Sequence, residues 1–134
     1  MPVSDASPIH PRNPLRLRGR PGMPLQGFTI LAVEDSRFAS ESLRLLCLRC
    51  SARLRRAESL EQAERHLSVY RPDVVIVDLG LPDGDGADLI RRLAQRCDPA
   101  MLLLGTSGDP AGQALAMAAG AAGFLPKPVD SLLQ

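Results

Sequence analysis

The residues best suited to chemistry lie where apolar runs stop. Val74-Val75-Ile76-Val77 is a β-branched run that ends at Asp78 and passes into Leu79-Gly80-Leu81-Pro82-Asp83-Gly84-Asp85-Gly86, a segment dense in turn-forming residues. Phe28–Val33 is a second apolar run, and it ends at Glu34-Asp35. A third, Met101–Leu104, leads into Gly105-Thr106-Ser107, and a fourth, Gly123–Pro126, into Lys127. Lys127 is the sole lysine; every other fixed cation is arginine. Three carboxylates brought together repel one another unless a cation joins them. Oxygen donors at an open loop suit a hard ion, and a small site that keeps several waters suits Mg²⁺. A compact ammonium at the same place suits pairing with a carboxylate or a phosphoryl group.

The surrounding elements must bring these four ends together. Strand is expected at 28–33, 53–57, 73/74–78, 101–104 and 123–126. Ser36 or Asp35 caps a first helix that buries Ala39, Leu43, Leu46, Cys47 and Cys50. Ser59 and Gln62 form a capping box for a second helix, whose apolar stripe is Leu60, Ala63, Leu67 and Tyr70 and which Pro72 ends. A third helix covers about 87–96 and turns Ile90, Leu93, Ala94 and Cys97 inward. Asp109-Pro110 supplies the N-cap and first position of a fourth, closed by Gly120. Strand and helix alternate five times over short connections, which is an α/β pattern. The expected fold is flavodoxin-like: a five-stranded parallel sheet of order 2-1-3-4-5 with helices on both faces. That order makes strands 1 and 3 neighbours at the switch point, where Glu34, Asp35 and Asp78 meet. No G-x-G-x-x-G follows the first strand and no Walker A motif occurs, which argues against a nucleotide site.

Composition narrows the class. A chain of 134 residues holds one ordinary domain, and its scarce aromatics make the core aliphatic. Residues 1–27 carry six prolines and four arginines against Asp5, so this stretch is expected to be a disordered Pro/Arg-rich tail. The remainder has two more acids than cations, which argues against nucleic acid as a direct ligand. No run is long and apolar enough for a membrane span, and the N-terminus lacks the apolar core of a signal peptide, so a cytoplasmic location is expected. Cys47 and Cys50 form a C-x2-C without a second pair of ligands, and buried thiols are preferred to zinc. Asp83, Asp85 and Asp88 lack the EF-hand spacing and read as turn and helix-start acids.

Residues 28–130 resemble a response-regulator receiver domain. The matching pieces are Ile30–Asp35, Asp78–Gly86, Leu104–Ser107 and Gly123–Pro128, in order and at successive strand ends. The resemblance implies a bacterial two-component switch rather than an enzyme. Asp78 would accept a phosphoryl group from a histidine kinase or phosphotransfer protein. Asp35, Asp78 and the Gly80 carbonyl would bind Mg²⁺, with Glu34 acting mainly through water. Lys127 would pair with Asp78 at rest and with the phosphoryl group afterward. Thr106 would donate to a phosphoryl oxygen, and Phe124 would turn inward in response. The Lys127–Pro128 peptide resembles the family's cis bond.

One departure is expected. The sequence given stops at Gln134, where a receiver would continue into a fifth helix. The receiver domain, 28–134, would then have its C-terminal helix truncated and an apolar face of several hundred Å² exposed. An output domain beyond residue 134, a second copy forming a homodimer, or a partner's helix would cover it. Two other readings compete with the switch. One is a phosphorylation-independent interaction module of pseudo-receiver type. The other is an Asp-nucleophile hydrolase, although the D-x-D pattern of such enzymes is missing at Asp78-Leu79-Gly80.

Overall fold

The computed structural model describes residues 27–96 and 98–127. The elements are β1 (Thr29–Val33), α1 (Arg37–Arg49), β2 (Arg53–Ala57), α2 (Leu60–Val69), β3 (Val74–Asp78), α3 (Gly86–Gln95), β4 (Leu102–Ser107), α4 (Gly112–Ala119) and β5 (Gly123–Pro126). A two-residue antiparallel hairpin, Gly80–Leu81 against Gly84–Asp85, sits between β3 and α3. The sheet is wholly parallel in the order β2-β1-β3-β4-β5, which is the expected flavodoxin-like order.

β3 is central, and all five of its residues are buried. Its β-branched side chains alternate between the two faces of the sheet, and each contributes roughly 1.5–3 kcal/mol on burial. Val75 and Val77 pack with Ala63, Leu89, Ile90, Leu93 and Ala116 on the face covered by α2, α3 and α4. Val74 and Ile76 pack with Phe28, Leu43, Leu46 and Cys47 under α1 on the other. On that second face Leu102 and Leu104 are only partly buried. Leu43, Leu46, Cys47 and Cys50 face inward as expected, while Ala39 is only half-buried and Phe38, Leu45 and Leu48 are exposed. Cys47 and Cys50 are free thiols, and burial pushes Cys47 up to about 11, so it stays protonated and inert at neutral pH.

Three local expectations are corrected. Ser59 caps α2, but Gln62 returns its side-chain oxygen to the N–H of Glu58 rather than Ser59, so the box closes one residue early. Asp109-Pro110 does not start α4. Asp109 accepts from the N–H groups of Ala111 and Gly112 in a turn of its own, and the helix begins two residues later with no side-chain cap. β4 continues through Gly105 and Thr106 to Ser107, past the expected end at Leu104, because pairing with β3 and β5 holds it. The expectations for the tail 1–26, for Cys97, for the Lys127–Pro128 peptide and for the truncated helix at 128–134 lie outside the described residues.

Candidate functional site

The parallel register decides which ends meet. β1 pairs with β3 through Val33↔Val77, and β3 with β4 through Asp78↔Thr106. β4 pairs in turn with β5 through Ser107↔Pro126, so Lys127 follows directly. One rim of the sheet therefore gathers Glu34, Asp35, Asp78, Thr106 and Lys127. Among the described residues, one carboxylate oxygen each from Glu34, Asp35 and Asp78 lie within 4.8 Å of one another. Asp35 is exposed, whereas Glu34 and Asp78 are 1 % and 5 % exposed.

The ammonium of Lys127 lies against both buried acids. Its Nζ is 2.8 Å from Glu34 Oε1 and donates a hydrogen bond to Asp78 Oδ2 at 3.2 Å. The expected pairing with Asp78 is present, but Glu34 is the nearer partner and was not foreseen in that role. Burial pushes the Glu34 carboxyl above its ordinary range, and the Asp78 charge adds to this. The Lys127 ammonium and the Ser36 N–H, which donates to Glu34 Oε2 at 3.0 Å, oppose that shift without cancelling it. Burial works the other way on Lys127, but Glu34 and then Asp78 outweigh it and leave its pKa raised. The rim thus sets one ammonium among three carboxyl groups.

Backbone contacts brace the acids. Arg56 on β2 reaches the chain just past the end of β1 and donates to the carbonyls of Glu34 at 3.3 Å and Asp35 at 3.4 Å. The N–H of Leu79 donates to the Thr106 carbonyl at 3.1 Å, tying the two strand ends together. Asp78 Oδ1 accepts from the N–H of Gly80 at 3.1 Å, which bends the loop back over the carboxylate. Arg56 escaped sequence reading because its role is a contact across 21 or 22 residues; the arginine-rich, alternately exposed strand Arg53–Ala57 was the only signal.

Thr106 completes the rim, and Phe124 lies just behind it. Thr106 is 1 % exposed and its Oγ1 has no hydrogen-bond partner among the described residues. A buried hydroxyl usually finds an acceptor, and leaving it without one costs about 1–3 kcal/mol. Phe124 is partly buried, its ring beside Gly105 and Gly112. Gly80 is exposed and has open space where a side chain would project. Six of the seven residues singled out from the sequence lie along this rim, and Phe124 lies two residues back from it, in β5 opposite Gly105.

Known proteins resemble this chain in sequence and in fold. The chain is 34% identical over 99 residues to the KDP operon transcriptional regulatory protein KdpE of Escherichia coli K12, covering 74% of this chain and 44% of that protein. It is 40% identical over 63 residues to the transcriptional regulatory protein PhoP of the same strain, covering 47% of this chain and 28% of PhoP. The chain thus spans less than half the length of these curated relatives. Among solved structures, a CheY-like receiver domain from Methylobacillus flagellatus superposes with a TM-score of 0.67 at 28% identity, covering 79% of this chain and 89% of that one. A response regulator from Burkholderia pseudomallei, solved with a phosphorylated aspartic acid, a calcium ion and citrate, gives 0.65 at 27% identity, over 75% of this chain and 60% of that one. Residues 30–132 match the sequence model of the response regulator receiver domain, and with more than half its length inside that match the chain belongs to this family of two-component signalling domains.

Proposed function

We propose that residues 28–134 form a phosphoacceptor switch in which Asp78 takes a phosphoryl group from a phosphohistidine on a partner kinase or phosphotransfer protein. The observation that carries this reading is the buried Thr106 hydroxyl, without an acceptor among the described residues, beside a nearly buried Asp78 that already faces a cation. A phosphoryl oxygen on Asp78 is the missing acceptor. In the transfer, an Asp78 carboxylate oxygen bonds to phosphorus while the P–N bond of the donor breaks, and the imidazole leaves with its electron pair and picks up a proton.

The donor set fits Mg²⁺: carboxylates and a carbonyl at an open rim, without nitrogen or sulfur. Asp35, Asp78 and the carbonyl of Gly80 would hold it, and Glu34 would act through water. The ion supplies neutralisation of the phosphoryl oxygens and of the crowded acids. Lys127 moves its contact from Asp78 to the new phosphoryl group. Thr106 donates its hydroxyl, drawing the end of β4 and its loop inward, and Phe124 turns inward into the space that movement vacates. The change favours one of two surface arrangements, and a downstream partner reads the difference. The Burkholderia structure, with its modified aspartate and bound divalent ion, supports the same assignment here. Phe38, exposed one turn beyond Asp35, suits a place at the rim where the phosphodonor docks. The relatives' greater length supports an output domain beyond residue 134.

Beryllofluoride, which mimics a phosphoryl group on an aspartate, tests the reading. With Mg²⁺ present it is expected to raise the melting temperature of the wild type by several degrees, by mass action on the folded state. Without Mg²⁺, or in Asp35→Asn, the rise is expected to vanish. The same rise in Asp78→Ala, or none in the wild type, contradicts the assignment and favours a passive interaction module.

A further inference from the structure

The hairpin after Asp78 is fastened at its tip to a different helix. Asp83 Oδ1 accepts from the N–H of Leu60 at 2.9 Å, and Oδ2 accepts from the N–H of Glu61 at 3.2 Å. These are the first two N–H groups of α2, which the helix cannot satisfy itself. Its own cap, Ser59, takes only the next two: Oγ accepts from Gln62 and the carbonyl from Ala63. Of the three helical N–H groups at the start of α2 that have no carbonyl partner within the helix, two are thus held by a carboxylate from the loop between the phosphoacceptor strand and its helix and one by the local Ser59 side chain, whereas Ala63 makes the first ordinary helical bond. Gly84 adds contact at the same point, because a Cβ there would fall 2.7 Å from Leu60 Cδ1. The N–H bonds from Leu60 and then Glu61 hold the Asp83 carboxyl below the usual range, so it stays ionised at the positive end of the helix.

An ordinary helix cap comes from the residue beside the helix. This one comes from 23 residues downstream, and the bond constrains the loop as much as the helix. The loop's other end is held by the bond from Gly86 N–H to the Leu79 carbonyl and by that from Gly80 N–H to Asp78. Gly80 therefore lies on a short span pinned at both ends. We propose that Asp83 is a positioning residue: by holding the first amides of α2 it fixes the Gly80 carbonyl against Asp78 and Asp35, and so sets the divalent-ion affinity of the rim. This rests on the reading of that rim as a phosphoacceptor site.

Calorimetric titration with Mg²⁺ alone gives the first readout. Asp83→Ala is expected to weaken binding about tenfold, the low end of the range for partners of metal ligands. Asp83→Asn keeps one acceptor oxygen and is expected to recover most of the loss. Ser59→Ala removes the local cap of the same helix and leaves the loop bonded. It is expected to lower the melting temperature comparably while Mg²⁺ affinity stays at the wild-type value. Hydrogen exchange in metal-free protein is expected to show a faster Gly80 amide in Asp83→Ala and an unchanged one in Ser59→Ala. If the two variants weaken Mg²⁺ binding equally, or Asp83→Ala leaves it unchanged, Asp83 is a helix cap only and the proposal falls. Acetyl phosphate separates that failure from failure of the underlying reading. Labelled wild type with an unchanged Asp83→Ala overturns only the positioning role, whereas unlabelled wild type overturns the phosphoacceptor assignment itself.

Discussion

Lys127→Ala is expected to destabilise the metal-free protein by about 1–3 kcal/mol at neutral pH, with the deficit shrinking as the solution is acidified. The figure lies below that for a fully buried ion pair because the Lys127 side chain is 23 % exposed. Its removal leaves Glu34 and Asp78 facing each other at the rim without their cation. The sign of the pH dependence follows from Glu34. Its folded-state pKa is raised, so the folded protein binds the proton more tightly than the unfolded chain does. Stability is therefore lost as pH rises from the ordinary carboxylate value through the raised one, and regained as pH falls. Without the ammonium that range widens upward. Lys127, also raised, contributes stability that is complete below its ordinary value and lost only at alkaline pH, as it deprotonates. Urea denaturation in EDTA from acid to neutral pH measures the effect. A constant difference between variant and wild type would show that the ammonium does not hold the two acids. Added Mg²⁺ is expected to narrow the deficit.

Gly86→Ala is expected to cost about 2–4 kcal/mol and to disable the rim at the same time. A Cβ at Gly86 would lie 2.0 Å from the Asp78 carbonyl oxygen, 2.8 Å from its carbon and 2.9 Å from Leu79 Cα. All three atoms are backbone, so no side chain can swing away. α3 would have to move off the end of β3, breaking the bond from Gly86 N–H to Leu79 and loosening the loop that carries Gly80. Gly80→Ala and Gly108→Ala are the internal controls. Neither would meet an atom within 4 Å, and each is expected to change stability by less than about 0.5 kcal/mol. Chemical denaturation of the three variants checks the contrast. A Gly86→Ala protein as stable as Gly80→Ala would mean that the close approach of α3 to β3 is misplaced.

The parts of this structure visible from the sequence are those written in short-range pattern. The β-branched run Val74–Val77 suits a strand buried on both faces, which it is, and the acid that stops it falls at the strand's carboxyl end. Glu34, Asp35, Thr106 and Lys127 were found the same way, each at the end of an apolar run, and alternation of strand with helix set the order that brings them together. What escaped is bonding between a side chain and distant backbone, which leaves no periodic trace. Asp83 reads as a turn acid until α2 is seen against it, and Arg56 as one of several exposed arginines until its guanidinium meets two carbonyls. Lys127 lies nearer to Glu34 than to Asp78 although β4 and β3 stand between β5 and β1, a placement that only tertiary geometry makes. Asp109-Pro110 has the local chemistry of a helix start, yet the turn it forms for itself takes the bonds that a cap would have used.

Intact-mass measurement after incubation with acetyl phosphate and Mg²⁺ tests the central claim most directly. The wild type is expected to gain the mass of a single phosphoryl group, to lose it on treatment with hydroxylamine as an acyl phosphate does, and to gain nothing when Mg²⁺ is chelated. Asp78→Ala is expected to gain nothing under any of these conditions. A wild type that stays at its original mass, or an Asp78→Ala protein that gains the same increment, would contradict the account.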